Sequence, residues 1–185
     1  MEVEAQYDSK IVKKSIHLIR DPFDNVVSRF HLSVKRHQND PMWLENHPQN
    51  KTGFRKWCDT LSWKYNEQLN TYITKEVLDS AKNVPCNADF FRYIKWHNHA
   101  LTVIENLKLP VHTLYYEDYK NDFNETLSGV LSFLELPNIG KPDPFIFRSY
   151  FDYFSSDERV AACNFMKRLA SNATLDILSR YMSRS

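Results

Sequence analysis

The chain has 185 residues, of which 42% are hydrophobic and 14% aromatic, and its formal net charge is +1. That is enough apolar material for one compact core, and the charge is too balanced for a broad nucleic-acid-binding face. No run of about 20 apolar residues spans a bilayer, and the opening MEVEAQYDSK is polar and acidic, unlike a signal peptide.

Taken in chain order, residues 11–19 (IVKKSIHLI) read as a short apolar strand that ends at Arg20. The DPFDN segment is a turn, with Asp24 expected to cap a helix whose apolar face is Phe23, Val27, Phe30 and Val34. Residues 38–52 read as a polar loop with two prolines, and a long helical region is expected over roughly 54–80. NVPCN breaks it. Residues 88–107 carry a helical stripe of Phe90, Ile94, His97, Leu101 and Ile104 that stops at Pro110. VHTLYY (111–116) has strand composition. Asp122 can cap the next helix, striped with Phe123, Leu127, Val130, Leu131 and Leu134. A proline-rich loop and the aromatic cluster FIFRSYFDYF follow, then a last helical stretch from about Asp157 to Met182. This order predicts a helix-rich α/β fold, a partial parallel sheet with flanking helices. Two strands are few for a parallel sheet, so the fold is expected to be cut.

Arg20 lies where the first strand ends, and Ser28 follows eight residues later in the next helix. A strand end feeding a helix start is a natural anion site, because backbone N–H groups and the helix dipole face the ligand. A guanidinium fork and a hydroxyl would complete a cradle for one phosphate. The bland alternative is a structural ion pair beside an Asp-Pro turn and a solvated serine.

IHLIRDPFDNVVSRFH resembles the 3′-phosphate-binding segment of sulfotransferases that use 3′-phosphoadenylyl sulfate (PAPS): a hydrophobic strand, Arg, a Pro-containing turn, and Ser eight residues after the Arg. LPVHTLYYEDYKNDFNETLSGVLSFLELP is similar to the strand, Tyr-Glu-Asp, helix and FLxLP block of the same family. The likeness runs from residue 11 to about 140. It implies a P-loop-type nucleotide-binding fold, PAPS as sulfuryl donor, no metal, and a hydroxyl acceptor such as a carbohydrate or other small molecule. It further implies that Arg20 and Ser28 hold the 3′-phosphate and that Tyr116 lies near the adenine. Arg148 is a further candidate for a phosphate contact. Tyr116 can alternatively be a core aromatic, while Glu117 and Asp118 read as structural.

Within KWHNHA, the residues Trp96, His97 and His99 could contact an acceptor. Histidines at i and i+2 do not share a helical face, so a metal site is not expected there. The competing reading of His97 is a buried, satisfied core histidine.

In this family the loop for the 5′-phosphosulfate, with its Lys, and the catalytic base lie upstream of the first block. KTG at 51–53 does not replace that loop, and nothing recommends Glu2 or Glu4 as the base. The chain is therefore expected to be one sulfotransferase domain over 1–185, incomplete at its N-terminus, with residues 38–107 as an acceptor-side helical insertion. A degenerate domain that binds a nucleotide or a protein without turnover is the alternative. Cys58, Cys86 and Cys163 are either three indifferent thiols or include a Cys58–Cys86 disulfide, which requires an oxidising compartment. Sequons at Asn50, Asn124 and Asn172 lean the same way, toward the Golgi lumen or secretory pathway.

Overall fold

Alternation of side chains gives the first strand its place. In β1 (Ser15–Ile19), His17 and Ile19 are buried while Ile16 and Leu18 are exposed, the period of two that a pleated strand imposes. The strand is shorter than the apolar run suggested. Ile11 is exposed, and Lys14 instead donates its ammonium to the Phe133 carbonyl and pairs with Glu135 at 2.6 Å. In this computed structural model, residues 11–140, 142–143 and 145–182 are described, with residues 62–72 as helix only. Glu2 and Glu4 lie outside the described residues.

β1 pairs in parallel with β2 (Val111–Tyr115), in the register Ser15 with Val111 through Ile19 with Tyr115. Among the described residues these two strands are the whole sheet. The helices are α1 (Pro22–Arg36), α2 (Pro41–Asn46), α3 (Lys51–Tyr72), α4 (Lys75–Ala81), α5 (Asn87–Leu107), α6 (Asp118–Asn121), α7 (Phe123–Leu134), α8 (Ser156–Leu169) and α9 (Asn172–Met182). A short 3-10 turn, Phe151–Tyr153, precedes α8. The result is the helix-rich α/β fold with a small parallel sheet.

The chain divides into two compact units. The described residues of Met1–Arg20 and His99–Phe147 form the strand-bearing unit, and Asp21–Asn98 with the described residues of Arg148–Ser185 form the helical unit.

In the strand-bearing unit, α7 packs on β2, with Phe133 beside the His112 ring at 5.4 Å. Asp122 caps α7 by accepting the Glu125 N–H at 2.9 Å. The helical unit is built on an aromatic core. Phe23 meets Phe90 and Phe154 edge-on at 5.4 and 5.2 Å, and Phe30 meets Phe54 at 5.7 Å. Burying each such ring stabilises the fold by about 1.5–3 kcal/mol, with edge-to-face geometry adding to it. Arg159, itself buried, lies over Phe23 and Phe151 and donates to the Phe151 carbonyl at 2.7 Å.

Several boundaries differ from the sequence expectation. Residues 38–52 are not all loop: Asp40 accepts the Trp43 N–H and Pro41 opens α2, a cap with proline at the first helical position. The region 54–80 is two helices, α3 and α4. The stretch after Asp157 is also two, because α8 ends at Leu169, Ala170 turns to extended backbone, and a new start at Asn172 begins α9. Cys58 in α3 and Cys86 just before α5 are joined in a disulfide, with their Cα atoms 4.4 Å apart. Cys163 is a buried free thiol.

Candidate functional site

The sequence-predicted residues fall in both units, and each unit has its own arrangement. In the strand-bearing unit, Arg20 follows the last residue of β1 and Tyr116 follows the last residue of β2. The Tyr116 N–H donates to the Ile19 carbonyl at 2.8 Å, continuing the ladder one residue past β2. That bond brings Arg20 and Tyr116 to the same carboxyl end of the sheet. The Arg20 guanidinium lies over the Tyr116 ring, 4.5 Å from its centroid. Both residues are half-buried. A stack of this kind uses the face of the guanidinium and leaves its donor edge in the plane.

Around this pair stands an aromatic wall. Phe145 meets Tyr116 at 5.0 Å and Tyr119 at 5.5 Å, Phe147 lies 6.4 Å from Tyr116, and Lys120 places its ammonium 4.7 Å from the Phe147 ring. Two cations therefore flank a group of rings at the strand ends, the position where open α/β sheets bind ligands. The sequence reading missed Lys120 and Phe145; Phe145 lies in the aromatic-rich loop after three prolines, and Lys120 lies in α6, directly after the Tyr-Glu-Asp segment. Glu117 is buried beside the same turn. An open cavity of about 420 Å³ is lined by Phe123, Asn124, Leu127, Asn138 and Asp143 among others, and by Phe145, which it shares with the wall.

In the helical unit, the start of α1 is organised differently from the expectation. Asp21, not Asp24, is the N-cap: its carboxylate accepts the N–H groups of Phe23 at 2.8 Å and Asp24 at 3.3 Å. Those two donors are thus satisfied within the turn rather than turned toward a ligand, and two carboxylates lie there. What α1 offers an anion is side-chain chemistry, and Ser28, half-buried in the second turn, is the residue placed to supply it. Asp24 is buried and accepts the Tyr150 N–H at 2.7 Å. This pins the loop that carries the exposed Arg148 to the first turn of α1.

His31, one turn beyond Ser28, was not singled out by sequence. Its ring stacks on Tyr150 at 4.9 Å and shares Nδ1 with the Gln49 amide at 2.9 Å. Burial, and then the positive charge of Arg148, hold the His31 imidazole below its ordinary pKa. His17 of β1 is likewise held low by burial. Both are neutral at pH 7.

Trp96, His97 and His99 lie along α5. His97 is buried against Tyr93 and Trp96, with ring centroids 4.4 and 4.9 Å away, whereas Trp96 and His99 are exposed. His97 thus has a core position. Gly53 of the KTG segment sits inside α3, where a Cβ would collide with the Pro48 carbonyl. Its lack of a side chain serves helix packing, and none of the described glycines has a positive φ. Among the described residues no group of His, Cys, Asp and Glu side chains could hold a metal ion. None of their helices is long and apolar enough to cross a membrane.

In the comparison with protein families, the model of a family described as "Sulfotransferase domain" matches residues 9–177. Comparison with curated proteins and with solved structures gives no match.

Proposed function

This chain belongs to the sulfotransferase-domain family, a family that transfers sulfuryl groups, and from that premise we propose that its donor is PAPS and its acceptor a hydroxyl, on a carbohydrate or other small molecule. In this reading Arg20 and Ser28 hold the 3′-phosphate, Tyr116 contacts the adenine, and Arg148 adds positive charge toward the phosphates. The region 38–107 shapes the acceptor side, where Trp96 and His99 are the exposed candidates.

The observation that carries the reading is Arg20 held over Tyr116 at the shared end of β1 and β2. A guanidinium fixed by a ring loses little conformational freedom on meeting a phosphate, and a bidentate contact matches phosphate geometry. The donor, once bound, supplies the activated sulfuryl group. The chain's own residues bind and orient the nucleotide end of it, which is how transfer reactions of this type gain rate. Phosphate and adenine contacts of this kind need no metal.

The test is calorimetric titration of the chain with adenosine 3′,5′-bisphosphate, beside Arg20→Ala, Ser28→Ala and Tyr116→Phe variants. A charge-assisted contact contributes about 1.5–3 kcal/mol, so Arg20→Ala is expected to weaken binding by roughly 10- to 150-fold. Tyr116→Phe, which keeps the ring under Arg20, is expected to cost little. Equal affinity in the wild type and Arg20→Ala, with both folded, refutes the assignment. Bisphosphate binding with no sulfuryl transfer to any hydroxyl acceptor would identify the non-catalytic binding domain instead.

A further inference from the structure

The three Asn-x-Thr sequons take no part in the nucleotide reading. They are Asn50-Lys51-Thr52, Asn124-Glu125-Thr126 and Asn172-Ala173-Thr174. All three end in threonine and none has proline in the middle. The chain has 15 asparagines and 8 threonines in 185 residues, so unselected placement gives fewer than one such triplet. Occurrence in the sequence alone would carry little. The side-chain chemistry of the asparagines carries more.

Attachment of a sugar to asparagine requires the Nδ2 atom to be spare and to face solvent. Asn50, Asn124 and Asn172 are all exposed, each at the start of a helix: before α3, in the first turn of α7, and at the first residue of α9. Asn50 uses only its Oδ1, which accepts the Gly53 N–H at 3.1 Å. That bond survives glycosylation, because the amide oxygen is retained. Three asparagines outside sequons behave in the opposite way. Asn46, Asn87 and Asn98 each donate Nδ2 to a backbone carbonyl, of Met42, Ala81 and Leu169, at 3.0, 3.3 and 2.9 Å. No described hydrogen bond uses the Nδ2 of a sequon asparagine.

The Cys58–Cys86 disulfide is an independent observation pointing to the same compartment. Such a bond forms and persists in the oxidising secretory pathway, where the glycosylation machinery also works. We propose that Asn50, Asn124 and Asn172 are N-linked glycosylation sites. The donor class is a lipid-linked diphospho-oligosaccharide. Nδ2 bonds to the sugar C1, the C1–O bond to the diphosphate breaks, the lipid diphosphate leaves, and the displaced Nδ2 proton passes to a base of the transferase. The inference is independent of the nucleotide assignment.

The experiment expresses the full chain behind a cleavable secretion leader in cultured eukaryotic cells. Both the membrane fraction and the medium are sampled, since transfer precedes export. Enzymatic deglycosylation in heavy-oxygen water converts each occupied Asn to a mass-labelled Asp, and peptide mapping reports the Cys58–Cys86 bond in the same sample. Label at all three positions is expected, with one mobility step lost in each of Asn50→Asp, Asn124→Gln and Asn172→Gln. Asn50→Asp keeps the cap oxygen, so its loss of sugar cannot be blamed on the helix start. A chain with its disulfide closed and no label at a given position overturns that site, and no label anywhere overturns the proposal.

Discussion

Replacing both Cys58 and Cys86 with alanine probes how much of the helical unit depends on one covalent link. The bond closes a sequence separation of 28 residues, spanning the rest of α3, all of α4 and the turn before α5. In the chain-entropy account, removing a loop of that length from the unfolded ensemble is worth about 3.6 kcal/mol at 25 °C. Both cysteines are buried, so the alanines leave small gaps rather than stranded hydroxyls. Cys86 also has φ 57, a left-handed backbone that alanine does not relieve. For a chain of this size each kcal/mol moves the midpoint by about 2–4 °C, giving an expected fall of about 7–14 °C. The assay is thermal unfolding followed by circular dichroism, on oxidised wild type, wild type with a phosphine reductant, and the double variant. The reduced wild type should melt close to the double variant. The reasoning is refuted if reduction leaves the midpoint unchanged, or if the double variant loses less than about 1 kcal/mol.

Three further expectations concern polar contacts. His17 and His31 both have imidazoles held below the ordinary value, so the unfolded chain binds the extra protons. Their contribution is full above about pH 6.5, the ordinary imidazole value, and is lost as the pH falls below it through the lowered folded-state values; urea midpoints measured from about pH 8 downward check it, and Arg148→Ala should raise the His31 value in an NMR titration. Asp24→Ala strands the Tyr150 N–H, costs about 1–3 kcal/mol, and should speed hydrogen exchange at Tyr150 while leaving β1 and β2 amides unchanged. Asp89 is buried, with burial raising its pKa against the pull of Arg29 and Arg92, and Arg29 Nε donates to it at 2.9 Å. Arg29→Ala is therefore expected to destabilise the helical unit by about 1–3 kcal/mol, with the loss shrinking in mild acid as Asp89 takes a proton.

The elements that sequence made legible are those whose signals are local. The aliphatic run before Arg20, the stripe of α1 and the Asp122 cap of α7 each announce themselves within a turn or two. Where two local signals compete, sequence is ambiguous. Asp21 and Asp24 are both good caps, and only Pro22 at the first helical position decides for Asp21. The breaks between α3 and α4 and between α8 and α9 carry no proline or glycine; their only local marks are the cap residues Thr74 and Ser171, which are weaker signals than a breaker. The candidate site divides on the same principle. Arg20 and Tyr116 can be read as strand-end residues from the resemblance of two sequence blocks. Lys120 over Phe147, Phe145 beside Tyr116, and His31 between Gln49 and Tyr150 are pairings across 18 to 119 positions. No spacing rule reaches so far.

The parallel pairing of β1 with β2 also bears on the order in which the chain folds. Ser15 meets Val111, so the five helices α1 to α5 lie between two strands of five residues each. Closing a flexible loop of that length costs about 4 kcal/mol in chain entropy before any ladder bond is made. The disulfide shortens it by 28 positions, which lowers the cost by only about 0.3 kcal/mol because the dependence is logarithmic. A covalent link therefore cannot bring the strands together. Condensation of the intervening helices has to do so, and the Arg20–Tyr116 pair at the strand ends would then assemble late. Pulse-labelled hydrogen exchange reads this directly: β-strand amides protected before those of α1 and α3 would reverse the order.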